Sequence, residues 1–195
     1  MGPATLQDVL ATQELASRSH RRRDVEAENR ALIELSRSLP TSPDGFLQKA
    51  CDVAMVLCRA QSTGVSLIEI DHGGPVFRWH AVSGRYASNV WGTMKTEFSP
   101  CGTVLDLGTT QLMKYPERHY TVLRNVGPQI VETLLAPLKV HGTAIGTIWL
   151  LSHEDSVTFA PSDAAALQTL AEFVGPVYEV LSHLISITRE AGHAE

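Results

Sequence analysis

The most regular signal in the chain is helical and lies near the C-terminus. After Phe159-Ala160-Pro161-Ser162-Asp163, apolar residues recur alternately three and four apart at Leu167, Leu170, Val174, Val177, Leu181 and Leu184. That is a heptad seam, and Ala171, Tyr178 and Ile185 form a second row beside it. One row can cover a sheet while the other meets a partner helix, and Pro176 predicts a local kink. Ahead of this helix, Glu132 to Val140 (ETLLAPLKV) and Thr143 to Ser152 (TAIGTIWLLS) read as two strands joined by a His141-Gly142 turn. Pro137 predicts a bulge or an unpaired edge position in the first of them.

A second hairpin is predicted from Ser62 to Asp71 (STGVSLIEID) and Val76 to Val82, with His72-Gly73-Gly74-Pro75 as its turn. Before it, Phe46, Ala50, Val53, Ala54 and Leu57 fall on one face of a helix over about Asp44 to Arg59, which starts after the turn at residues 41–45. From Leu6 to Leu39 the chain is polar and rich in helix formers. Val25, Leu32, Leu35 and Leu39 lie on a seven-residue seam whose remaining position is Glu28, predicting an exposed or partner-facing helix that ends at Pro40. The pattern divides the chain into an amphipathic N-terminal helix (1–40), a domain core (41–160) and a C-terminal dimerisation helix and tail (161–195).

Between the hairpins, residues 83–128 follow no period. A stretch of this length inside a compact domain predicts a functional segment, with one or two short helices. It holds most of the chain's chemically distinctive side chains, among them Trp91, Cys101, Asp106, Tyr115, Arg118, His119 and Tyr120.

Composition narrows the picture. With 195 residues, 44% apolar and 19% charged, the chain suits one domain with helical extensions. The net charge of −5, and the acidic residues Glu14, Asp24, Glu26 and Glu28 around the basic cluster Arg18, Arg21, Arg22 and Arg23, argue against nucleic-acid binding. No secretory leader and no bilayer-length apolar run is seen, so a cytoplasmic location without a membrane partner is expected. Three cysteines without a C-x-x-C pair predict neither a disulfide scaffold nor a metal site, and Cys51 and Cys58, on one helix, are expected to be buried structural residues.

The order helix, hairpin, irregular middle, hairpin and long helix resembles the GAF domain, a relative of the PAS fold. The last third matches most specifically: Leu134-Leu135-Ala136-Pro137-Leu138, then Gly142, then Ile145-Gly146-Thr147-Ile148, then Phe159 and Asp163 leading into the helix. The resemblance covers about Ser42 to Leu184. It implies an α+β fold, a central antiparallel sheet flanked by helices, with long N- and C-terminal helices. It implies little chemistry, because such domains bind cyclic nucleotides, tetrapyrroles, haem, metabolites or nothing.

Glu97-Phe98-Ser99-Pro100-Cys101-Gly102-Thr103 is similar to the pocket loop of bacterial sensory GAF domains found beside histidine kinases. At a helix start, Cys101 is expected to have a lowered pKa and to favour the thiolate. Tyr115-Pro116-Glu117-Arg118-His119-Tyr120 gathers two phenols, a guanidinium and an imidazole, a set suited to a planar anionic ligand, and His119 could ligate haem. A bilin-attaching cysteine next to His119 is missing, because Arg118 stands there. Trp79, His80, Trp91 and Trp149 read as core or sheet-face aromatics.

The expected function is a small-molecule-binding or redox-sensing module that relays a signal through flanking dimer helices to a histidine kinase or other signalling protein. No catalytic residue is assigned, and the ligand and any cofactor stay open. Two alternatives remain. One is an enzyme resembling free methionine sulfoxide reductase, whose pattern Cys101-Gly102 matches but whose further cysteine residues 119–131 lack. The other is a ligand-free dimerisation module with a closed pocket.

Overall fold

A computed structural model describes residues 4–19, 21–37 and 42–191, with side chains described as far as residue 187. Eleven helices and strands organise it: α1 (Thr12–Leu15), α2 (Val25–Arg37), α3 (Pro43–Leu57), β1 (Ser62–Asp71), β2 (Gly74–Gly84), β3 (Thr93–Lys95), α4 (Pro100–Leu107), β4 (Gln111–Lys114), β5 (Glu132–Val140), β6 (Thr143–Ser152) and α5 (Pro161–Ala191). The six strands form one antiparallel sheet in the order β3-β2-β1-β6-β5-β4. This is the expected α+β architecture, with both hairpins and the long C-terminal helix present.

The sheet is covered on both faces because its central strands carry apolar residues at consecutive positions. In β5, Leu134 faces one core and Leu135 the other; in β6, Ile148 and Trp149 divide in the same way, as do Leu150 and Leu151. The first core lies under α3 and α5 and includes Phe46, Leu47, Ala50, Cys51, Leu167, Leu170 and Val174. The second lies under α4 and the irregular segment and includes Phe77, Trp79, Tyr86, Cys101, Val104 and Tyr120. Gly146 is required where β6 crosses β1, since a Cβ there would sit 2.1 Å from the Ser66 carbonyl oxygen. Pro137 meets both expectations: it lies past the last β4–β5 pair, Gln111 with Leu135, and just before a register shift at Leu138/Lys139.

The segment ahead of the domain departs from the single expected helix. Residues 4–19 run along the free edge of β4, where Leu10 bridges Met113, the Ala11 N–H donates to the Leu112 carbonyl (2.8 Å) and the Lys114 N–H donates to the Val9 carbonyl (2.8 Å). Among the described residues before α3, α-helix is confined to the single turn α1 within this stretch and to α2. Val9 and Ala11 are buried, so contact with the sheet edge overrides local helix propensity. The expected stop at Pro40 lies outside the described residues.

The two rows of α5 also differ from their expected roles. Leu167, Leu170, Ala171 and Val174 are buried in the first core, and Val177, Tyr178 and Leu181 pack against it, so both rows serve the domain itself. The exposed apolar residues are Val180, Leu184 and Ile187. Pro161–Ile187 is long and apolar enough to cross a membrane by length and composition alone, although Asp163, Glu172 and Glu179 interrupt it. Its first half is instead a core helix laid on the sheet. Helix α5 runs through Pro176, whose missing N–H cannot bond the carbonyl of Glu172.

Burial ranks the residues for stability. Leu170→Ala should lower the unfolding free energy by about 2–5 kcal/mol, whereas Val56→Ala on the exposed face of α3 should change it by less than about 0.5 kcal/mol; urea unfolding followed by circular dichroism measures both.

Candidate functional site

The irregular segment wraps the second face of the sheet, and the local sequence explains how. Ser99 caps α4, accepting the Gly102 N–H at 3.0 Å, and Pro100 takes the first helical position, where its missing N–H is no loss. Gly108 ends the helix in the left-handed conformation with φ 68°. Short 3-10 turns at Pro116–Arg118 and Thr121–Asn125 carry the chain back toward β5.

Between this roof and the sheet lies a cavity of about 40 Å³, lined by eleven residues: Trp79 of β2, Met94 of β3, Thr133 and Leu135 of β5, Trp149 and Leu151 of β6, Pro100 and Cys101 of α4, and Tyr86, Leu123 and Ile130 from the connections. None of the eleven is charged. The indoles of Trp79 and Trp149 meet edge-on at 6.3 Å, and Tyr86 meets Trp149 similarly at 6.5 Å. Gly64 makes the Trp149 position available, since a Cβ there would lie 2.1 Å from the indole ring.

A buried polar chain runs beside the cavity. Thr147 Oγ1 donates to Cys101 Sγ (3.1 Å), Cys101 Sγ donates to Ser66 Oγ (3.8 Å), and Trp149 Nε1 donates to the same Ser66 oxygen (2.8 Å). Burial pushes the Cys101 thiol up, and the hydrogen bonds from its neighbours oppose that only in part. The thiolate expected from the helix start is therefore overturned: desolvation outweighs the first turn of an eight-residue helix. Tyr86 is pushed up to about 12, first by burial and then by the Glu117 carboxylate, and its hydroxyl donates to the Pro128 carbonyl (3.0 Å). Behind Tyr86, His153 stacks on the phenol ring at 5.3 Å, and burial lowers its pKa.

Of the seven residues singled out from the sequence, Cys101 lines this cavity and the other six lie outside its lining. Trp91 is half exposed, with φ 68°, its ring edge-on to His80 at 5.2 Å. Asp106 and Arg118 are exposed. Tyr115 donates its hydroxyl to Asp155. The Nδ1–H of His119 donates to the Ala4 carbonyl (2.8 Å), with the ring against Phe98 and Tyr120. Tyr120 is buried in the second core, its hydroxyl 2.7 Å from Thr103 Oγ1. The planar-anion set is thus not gathered around one space. The residues missed, chiefly Trp79, Leu135, Trp149 and Leu151, come from strands; their signal was the every-second-residue set facing away from α3 and α5.

The model of the GAF domain family matches residues 42–176. The chain belongs to that family, one of ligand-binding signalling modules. No curated protein sequence matches it. Among solved structures it is similar to the GAF domain of a phosphoenolpyruvate-protein phosphotransferase from Coxiella burnetii (16% identity, TM-score 0.68, covering 87% of this chain and 99% of that one). It is also similar to the corresponding Acinetobacter domain (13%, TM-score 0.66, 82% and 95%). A third similar structure is free methionine-R-sulfoxide reductase from Neisseria meningitidis in complex with its substrate (16%, TM-score 0.64, 86% and 98%). At these identities the likeness is one of fold.

Cys51 and Cys58 lie in the first core and Cys101 in the second, so the sheet separates them, and burial pushes Cys51 up to about 12 and Cys58 higher still. A thiol titration with Ellman's reagent at pH 8 should find close to no reactive thiol in the native protein and all three in guanidinium. Rapid modification of Cys101 in the native state would contradict its burial.

Proposed function

We propose that this domain is the ligand-sensing module of a signalling protein, and that the cavity under α4 takes a small, uncharged, mainly apolar molecule. The observation that carries this reading is the lining, in which no side chain is charged and the thiol of Cys101 is held neutral. A nucleotide phosphate or the propionates of a tetrapyrrole would bring unpaired charge into that wall at a cost of several kcal/mol. At about 40 Å³ the cavity has room for one or two water-sized groups, so a larger occupant has to lift the roof formed by α4 and the 3-10 turns.

The same geometry favours binding over catalysis, since thiol exchange needs a second cysteine and both others, Cys51 and Cys58, lie on the opposite face of the sheet. A path from cavity to output supports a signalling role. Lys139 of β5 donates its Nζ to the carbonyl of Gly108 at the end of α4 (2.8 Å). Its backbone packs against Gly175 of α5, where a Cβ would lie 2.9 Å from the Lys139 carbonyl oxygen. Movement of α4 thus reaches the Gly175-Pro176 step of the long helix. Beyond that step, Val180 and Ile187 are exposed seven residues apart, a spacing suited to a two-fold helix pair with a second copy. In this reading the protein is a cytoplasmic homodimer, and its output partner is a histidine kinase or another signalling protein.

The binding claim is tested with the uncharged fluorophore N-phenyl-1-naphthylamine. Its fluorescence should rise on mixing, and Leu123→Trp, which fills the roof, should weaken binding at least about tenfold. Unchanged affinity would place the probe elsewhere and defeat the reading. The dimer claim is tested by sedimentation: Val180→Asp combined with Ile187→Asp should yield monomers, and a dimer that survives both would remove this interface.

A further inference from the structure

The N-terminal segment is held to the domain by a clasp that the local sequence does not explain. Arg18 places both terminal guanidinium nitrogens on Glu132 (2.6 and 2.9 Å) and donates Nη1–H to the Phe159 carbonyl (2.6 Å). Arg21 reaches Asp163 at the start of α5 (3.1 Å), and Arg23 pairs bidentately with Glu28 (2.7 and 2.6 Å) while donating to Thr169 Oγ1 of α5 (3.0 Å). All three carboxylates are almost fully buried, at 1%, 4% and 4% exposure for Glu132, Asp163 and Glu28. Glu132 also accepts the Phe159 N–H and Asp163 the Ala160 N–H, so each sits in a prepared socket. A buried carboxylate that loses its cation is strongly destabilised, so these sockets are built to receive the arginines.

The other end of the same segment touches the roof of the cavity. The Ala4 carbonyl accepts the His119 Nδ1–H, and Leu6 and Leu10 pack against the second core, which contains Tyr120 and Leu123. Between the two ends, the edge contacts with β4 are reinforced by Thr12, which donates to Gln111 Oε1 (2.6 Å) and accepts the Leu112 N–H (3.1 Å). The described residues 4–19 and 21–23 therefore lead from the roof, along the open edge of the sheet, to the sockets at β5, α2 and α5.

We propose that the segment described at residues 4–19 and 21–23 is a latch: docked by the three arginine–carboxylate pairs, the strap pins the roof segment 116–126 shut, and its release loosens the roof and exposes the edge of β4. The effect on ligand access rests on the binding role proposed above; the coupling of strap to roof does not. Because the sockets lie at the start of α5 and in α2, a displacement of either helix acts on the latch, and the latch acts on the cavity.

Hydrogen exchange on the full chain tests this directly. In the triple variant Arg18→Gln, Arg21→Gln, Arg23→Gln, the amides of Ala11 and Lys114 and those of Tyr120 and Leu123 in the roof should exchange at least about tenfold faster, with the β5–β6 amides still protected. Arg18→Gln alone should give the same ordering at smaller amplitude, and it serves where the triple variant does not fold. Faster strap exchange with an unchanged roof would overturn the latch. So would an unchanged strap, or a loss of protection across β5 and β6 in the single variant, which would make the strap merely part of the core. N-phenyl-1-naphthylamine should bind the unlatched protein several-fold faster than the native one, and equal rates would overturn control of access. If the probe binds neither protein, the binding role fails, while the exchange pattern still decides whether strap and roof are coupled.

Discussion

A sheet that is apolar on both faces is the constraint on which the rest of this structure depends. Adjacent residues of β5 and β6, such as Leu134 and Leu135 or Ile148 and Trp149, point to opposite sides, so neither side can be left to water. One side is covered by regular helices whose apolar rows are strong enough to be read directly. The other is covered by a short helix, two 3-10 turns and loops, which meet the sheet less uniformly and leave the cavity between them and the strands. Covering one face irregularly is what leaves a cavity in half of a structural core.

Charge is organised around the same sheet. Glu132 begins β5 and Asp163 begins α5, and both are buried where a carboxylate without a partner would be costly. The arginines that answer them come from a segment far away in sequence. Such pairs add little net stability over an apolar contact, but they are intolerant of losing one member. That makes them effective for specifying where the N-terminal segment lies, and it turns a basic cluster that could suggest nucleic-acid binding into an internal fastening.

Cys101 shows how environment decides chemistry. Its place at the start of α4 and its two hydroxyl neighbours would both favour a thiolate, yet burial among Trp149, Met94 and Leu135 prevails and keeps the sulfur neutral. The residue contributes to the cavity as a soft, polarisable wall with one weak donor.

By itself the sequence determined the elements whose side-chain period is strong. These are α3, both long hairpins and α5, together with the turn at His141-Gly142 and the Ile145-Gly146-Thr147-Ile148 motif, and from them the family follows. The strands β3 and β4, three and four residues long, left no period to read, and residues 4–19 carried helix-forming composition that their contact with the edge of β4 overruled. Glu28 stood out in the sequence as a polar break in an apolar seam, but only the fold buries it and sets its partner Arg23 against Thr169 of α5. The cavity lining divided in the same way: Cys101 stood out because it lies in the irregular segment, whereas Trp79, Leu135, Trp149 and Leu151 looked like ordinary strand residues. Which face of a strand becomes a cavity wall depends on what packs over it, and that is settled by contacts between residues distant in the chain.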